Sequence, residues 1–146
     1  MAHAAPALRA RAGASRTPDI FSARTHRIAR WAVPVALGLV FGYWAAANNR
    51  SGGPITGWNV LLGFVAAIVF AALWMAVADM APRLPRELHA GLWAAFAGCA
   101  FGFLYSETGA SVLRSTGWAL AVAASAFVTA FYRYYTHEDA EGHRIR

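Results

Sequence analysis

The sequence predicts an all-α integral membrane protein, a four-transmembrane-helix antiparallel bundle preceded by a basic, partly disordered N-terminal tail. Three observations predict this fold: long uncharged runs, aromatic residues near the ends of those runs, and arginines concentrated outside them. Of the 146 residues, 58% are hydrophobic and only 14% are charged, whereas a soluble domain averages about 25% charged residues. Such an apolar composition excludes disorder over most of the chain.

Four long runs define the predicted membrane spans. Charged residues are absent from 31–49, 51–78 and 115–132, and 88–106 contains only His89. A helix needs about 20 apolar residues to cross a bilayer, and a charged side chain at its centre costs about 2.5–3.5 kcal/mol. The predicted transmembrane helices are residues 31–47, 58–78, 88–105 and 112–132. A soluble bundle would need a polar face on each helix, and none of these segments has one.

Aromatic residues mark the ends of the same segments. Tryptophan and tyrosine prefer the membrane–water interface, where both the apolar ring and its polar edge are accommodated. Residues of this kind near predicted helix ends are Trp31, Tyr43, Trp44, Trp58, Trp74, Tyr105, Trp118 and Tyr132. Phenylalanine, which has no polar edge, lies deeper, as at Phe64 and Phe101.

The arginines predict the orientation. Eleven of the 13 lie in the N-terminal segment 1–30, the second loop or the C-terminal tail 136–146 and its junction at Arg133, and only Arg50 and Arg114 lie on the other side. Because cytoplasmic segments carry the excess of arginine, both termini are predicted to be cytoplasmic, in the inner membrane of a cell. The four spans form one transmembrane domain, residues 31–135. Arginine without lysine suggests a GC-rich bacterial genome.

The N-terminal segment is predicted to contact lipid. Residues 1–16 lack apolar periodicity and are expected to be disordered, and residues 18–30 are expected to form a short amphipathic helix that starts after Thr17. Its arginines would bind anionic lipid headgroups, and no nucleic-acid partner is needed to explain them. The alternative is a signal peptide over residues 1–47, with cleavage after Ala47. Its basic segment would be 30 residues long, which favours a permanent helix.

No sequence motif predicts chemistry. Phosphate-binding glycine loops, paired cysteines and nucleophile elbows are absent from the sequence, so no catalytic, cofactor or metal site is expected. Cys99 is the one ionisable residue near the middle of a predicted span, and a buried cysteine usually behaves as a small hydrophobe. The tail from His137 to His143 contains metal-ligand residue types, but without the spacing of a helical zinc motif.

Charged residues at the ends of the spans are candidates for other roles. Asp79 and Arg83 are four residues apart and are expected to pair at the end of the second helix. With Arg86 and His89, they could form a cytoplasmic gate or a partner contact. On the other side, Glu107 and Arg114 are expected to pair across the third loop, an interaction worth about 0–1 kcal/mol.

Small residues spaced by four predict where the helices pack. In lipid, helices associate through close backbone approach, which small residues permit. The four ladders are Gly38-Gly42-Ala46, Gly63-Ala67-Ala71, Ala90-Ala94-Gly98-Gly102 and Gly117-Ala121-Ser125-Thr129. From these ladders the predicted packing residues are Gly38, Gly42, Gly98, Gly102, Gly117 and Ser125. Pro34 is expected to start or kink the first helix.

These features predict a non-enzymatic accessory, structural or regulatory membrane component that acts through helix–helix contacts. Its expected partner is another membrane protein or a second copy of the chain. The alternative is a small transporter or channel subunit that functions as a homodimer. A third hypothesis is a membrane-surface module that uses the basic tail.

Overall fold

The computed structural model describes residues 22–137, and this part of the chain forms four long helices. The helices are α1 (Ala23–Arg50), α2 (Gly57–Met80), α3 (Arg86–Ser106) and α4 (Val112–His137). All four are long and apolar enough to cross a membrane. The structure therefore confirms the prediction of four long apolar helices, and each predicted span lies within one of them.

The first helix is longer than its uncharged run. The Ser22 side chain accepts a hydrogen bond from the Thr25 amide (3.2 Å) and caps the N-terminus of α1. From Ala23 the helix continues without a break to Arg50, so residues 23–30 are the first turns of α1 and not a separate amphipathic helix. Pro34 lies inside α1 and does not start it. The predicted tails at residues 1–16 and 138–146, and residues 18–21 of the predicted helix, lie outside the described residues.

A capping box starts α2, and a 3-10 turn follows its last residue. Thr56 accepts a hydrogen bond from the Asn59 amide (3.3 Å), and the Asn59 side chain accepts one from the Thr56 amide (3.2 Å). This reciprocal capping box satisfies two backbone donors at the start of α2. The helix ends at Met80, where a 3-10 turn over Ala81–Arg83 leads to α3.

Close pairing divides the four helices into two antiparallel hairpins. Gly38 packs against Ala71 and Gly42 packs against Gly63, so the chain directions of α1 and α2 are opposite. Between α3 and α4 the tight contacts are made by Gly98 and Gly102 with Ala119, and by Gly98 with Ala123. Among the described helices, α4 packs along α3 alone. In the described part of the chain, α4 does not pack against α1 or α2.

An aromatic cluster joins the two hairpins near the middle of the helices. The ring centroids of Phe41 and Phe70 lie 4.6 Å apart, and those of Phe70 and Phe96 lie 5.1 Å apart. Trp74 on α2 meets Trp93 on α3 edge to face, with centroids 5.1 Å apart. Aromatic pairs of this geometry contribute about 0.5–1.5 kcal/mol beyond their burial, so this cluster helps to hold the two hairpins together.

A polar network joins the same hairpins at one end. The half-buried Asn48 amide donates to the Leu104 carbonyl (2.9 Å), and Asn49 donates to the Glu107 carboxylate (2.8 Å). The predicted pair of Glu107 with Arg114 is wrong. Arg114 lies instead over the Tyr105 ring, with its guanidinium carbon 5.9 Å from the centroid. Glu107 is thus used to hold α1 against α3.

Candidate functional site

The predicted packing glycines of the first three helices lie at helix–helix contacts. Gly38, Gly42 and Gly98 are buried and Gly102 is half-buried. A Cβ atom at Gly38 would lie 2.6 Å from the Ala67 carbonyl oxygen, and one at Gly98 would lie 2.7 Å from the Ala123 Cβ. Only a residue without a side chain permits this approach, which is the geometry by which membrane helices associate.

The predicted ladder of α4 lies on a different face from the one that packs. Ser115, Ala119 and Ala123 face α3, whereas Gly117 and Ser125 are exposed. The two sets are two residues apart, which turns them by about 200° around a helix. α4 therefore has two faces of small residues, of which α3 covers one. The second is named the docking face and consists of Gly117, Ala121, Ser125 and Thr129.

The docking face is a shallow concave surface. Its central part borders a groove of about 650 Å³, with Trp118 near one end and Arg133 at the other. The Ser125 hydroxyl donates to the Ala121 carbonyl (2.9 Å), and the Thr129 hydroxyl donates to the Ser125 carbonyl (2.9 Å). Both hydroxyls are therefore satisfied within α4 and are tolerated in an apolar environment. A Cβ atom at Gly117 would meet nothing within 4 Å.

Asp79 pairs with α1, not with its own neighbour. The Asp79 carboxylate accepts a hydrogen bond from the Arg30 guanidinium at 2.8 Å. The expected pair with Arg83 is wrong because the helix tightens into the 3-10 turn after Met80, which removes Arg83 from the helical position four residues on. The side chains of Arg30 and Asp79 are 68% and 55% exposed, so the pair contributes at most about 1 kcal/mol.

Arg86, another predicted gate residue, contacts α4 and not α1. Arg86 contacts the Glu87 carboxylate at 3.4 Å, and its guanidinium carbon lies 4.8 Å from the centre of the Tyr135 ring. Arg86 thus connects the start of α3 to the end of α4, and the half-buried His89 follows one turn later. Asp79 thus contacts α1 and Arg86 contacts α4, and a gate or partner contact formed by the four residues stays a prediction.

Two apolar hollows lie beside α3. One is a groove of about 850 Å³ between α3 and α4, and the other is a cleft of about 390 Å³ among α1, α2 and α3. The exposed Cys99 borders both hollows. Ser115 borders the larger one, and its buried hydroxyl has no hydrogen-bond partner among the described residues. Within residues 22–137, no group of three His, Cys, Asp or Glu side chains could hold a metal ion.

Comparison with known proteins assigns no relative to the chain: no family model, no curated protein and no solved structure matches it. Function is therefore inferred from the arrangement of its own residues. The most specific feature of that arrangement is a helix that packs on one small-residue face and exposes a second.

Proposed function

We propose that this protein is a small multi-pass inner-membrane protein that acts as an accessory, structural or regulatory component and catalyses no reaction. Its four helices would span the bilayer, and the docking face of α4 would bind a transmembrane helix of a partner membrane protein. The observation that carries the proposal is the exposure of Gly117, Ala121, Ser125 and Thr129 on a helix that, among the described helices, packs against α3 alone.

The residue types on the docking face favour a helix over lipid as its neighbour. Exposed positions on α2 carry large apolar side chains, such as Phe64, Ile68 and Leu73. The docking face instead carries Gly, Ala, Ser and Thr. Because lipid is as apolar as leucine, small residues give no advantage against acyl chains, whereas they let a second helix backbone approach closely.

The arginine distribution supports the orientation of the protein in the membrane. Arg24, Arg27 and Arg30 lie at the same end of the helices as Arg83 and Arg86, as required if this end is cytoplasmic. In a Cys99→Ala background, a cysteine introduced at Ser51 should react with an impermeant thiol reagent added to intact spheroplasts. A cysteine introduced at His143 should react only after lysis. Labelling of the position 143 variant in intact spheroplasts would reverse the proposed topology.

Site-specific crosslinking tests the docking face. A photo-crosslinking amino acid at Ala121 in the native host is expected to give one adduct of defined mass with a second polypeptide. The matched position is Ala72, an exposed alanine in the middle of α2, where no such adduct is expected. Ser125→Leu should abolish the adduct at position 121 without changing thermal stability, because the Ser125 side chain is exposed and its hydroxyl bonds within α4. Ala72→Leu should leave the adduct unchanged.

Two results would contradict this proposal. Equal adduct yields at positions 121 and 72 would show that the docking face binds nothing specific. An adduct that contains only two copies of this chain, together with solute flux by the purified protein in liposomes, would instead support the homodimeric transporter or channel.

A further inference from the structure

The basic end of α1 extends beyond the apolar part of the helix. The 28 residues of α1 span about 42 Å at the helical rise, while the uncharged residues 31–49 span about 28 Å, close to the hydrocarbon thickness of a bilayer. The preceding segment, Ala23–Arg30, therefore extends about 12 Å further. In a spanning orientation this segment lies at the depth of the lipid phosphate groups.

Two arginines of this segment form no ion pair with the part of the chain that the structure describes. Arg30 is paired with Asp79 at 2.8 Å. Arg24 and Arg27 are exposed, and neither forms an ion pair within residues 22–137. The sequence of α1 contains no acidic residue, so nothing on the helix itself neutralises them.

The spacing of these arginines suits a single phosphate group. Residues three apart are neighbours on a helix surface, with Cβ atoms about 5–6 Å apart. Guanidinium groups bind phosphate oxygens through paired hydrogen bonds, so two neighbouring guanidiniums can reach one phosphate. Ile28 and Trp31 are 57% and 60% exposed beside them, and side chains of this kind favour the interface.

We infer that Arg24 and Arg27 bind the phosphate of an anionic phospholipid at the basic end of α1, while Asp79 withholds Arg30 from the same site. The inference rests on the membrane insertion contained in the proposed function, but not on the docking face. It differs from non-specific attraction because it assigns different roles to three arginines of one helix.

Lipid selectivity of the purified full-length chain tests the site. In detergent micelles, labelled phosphatidylglycerol should bind more tightly than labelled phosphatidylcholine. Each arginine near a membrane surface changes binding by about five-fold, so Arg24→Gln with Arg27→Gln should weaken phosphatidylglycerol binding about thirty-fold. The matched control is Arg50→Gln with Arg114→Gln, which removes the same charge from the other end and should change binding less than two-fold. Asp79→Asn frees Arg30 and should strengthen binding up to about five-fold.

Several outcomes would overturn the site. One is an equal loss of phosphatidylglycerol affinity in the two double variants. Another is loss of the selectivity for phosphatidylglycerol when residues 1–16 alone are deleted. A third is tighter binding of an RNA oligonucleotide than of phosphatidylglycerol. Competition by inorganic phosphate at the lipid's own concentration would assign the site to a free anion and not to a lipid. Release of the protein from membranes by alkaline carbonate would refute insertion itself. A chain that resists this extraction but lacks lipid selectivity would refute only the arginine site.

Discussion

Replacing Gly42 with alanine is expected to lower the free energy of unfolding by about 1–3 kcal/mol, whereas the same change at Gly117 is expected to raise it. A Cβ atom at Gly42 would overlap the carbonyl oxygen of Gly63 and lie 2.9 Å from the Ala67 Cβ. The carbonyl belongs to a helical backbone and cannot rotate away, so α1 and α2 must separate. Circular dichroism during titration with sodium dodecyl sulfate measures the free energy of unfolding of each variant and of the parent.

The control substitution separates packing from helix propensity. Gly117→Ala adds the same methyl group to an exposed helical position with nothing within 4 Å. Alanine is favoured over glycine in a helix by about 0.5–1 kcal/mol, so this variant should be slightly more stable than the parent. The free energy of unfolding of Gly63→Ala should lie between those of Gly42→Ala and Gly117→Ala, because the new Cβ would lie 3.1 Å from the Gly42 carbonyl oxygen. The same shift for Gly42→Ala and Gly117→Ala would refute close packing of α1 on α2.

Charge spacing was sufficient to predict the four helices but not their full lengths. An uncharged run measures the part of a helix that lipid can surround, and a helix does not end where the run ends. α1 begins at Ala23, ahead of the predicted start at Trp31, and α4 continues to His137, past the predicted end at Tyr132. These flanks contain arginine, which forms helix readily, and both arginine and tyrosine are too polar for a hydropathy criterion.

Small-residue spacing could predict the packing face only where a helix has a single ladder. On α1 and α2, the predicted ladders that contain Gly42 and Gly63 face one another in the structure. On α4, Ser115-Ala119-Ala123 and Gly117-Ala121-Ser125 have equivalent spacing, and nothing in the sequence of α4 says which one meets α3. The choice depends on the tertiary position of α3, so the sequence prediction selected the face that the chain leaves exposed.

The ion pair of Asp79 shows which signal could have predicted a tertiary contact. Arg30 is 49 positions away, so local spacing favours Arg83 instead. Once Gly38 is placed opposite Ala71, an antiparallel register puts Arg30 opposite the last turn of α2. The glycine ladders therefore contained enough information to predict this pair, provided that the ladders were paired with each other first.

Gly98→Ile is expected to detach α4 from the rest of the protein and to abolish the adduct formed at position 121. The new Cβ alone would lie 2.7 Å from the Ala123 Cβ and 2.8 Å from the Ala119 carbonyl oxygen, and isoleucine adds three further carbons. The matched control is Gly91→Ile on the same helix, where a Cβ meets nothing within 4 Å. Thermal unfolding and the yield of the adduct measure the effect.

The effect of Gly98→Ile should be confined to one hairpin, because α3 is the one helix of residues 22–137 that α4 packs against. A cysteine pair at Ala46 and Gly63 reports on the other hairpin, since a Cβ at Gly63 would lie 3.2 Å from that of Ala46, near the range for a disulfide. In a Cys99→Ala background this disulfide should form equally well with and without Gly98→Ile. Retention of the adduct at position 121 in Gly98→Ile would show that the docking face is positioned without α3. Loss of the disulfide as well would show that the two hairpins fold as one unit, and in that case the exposed face of α4 could not be a separate docking element.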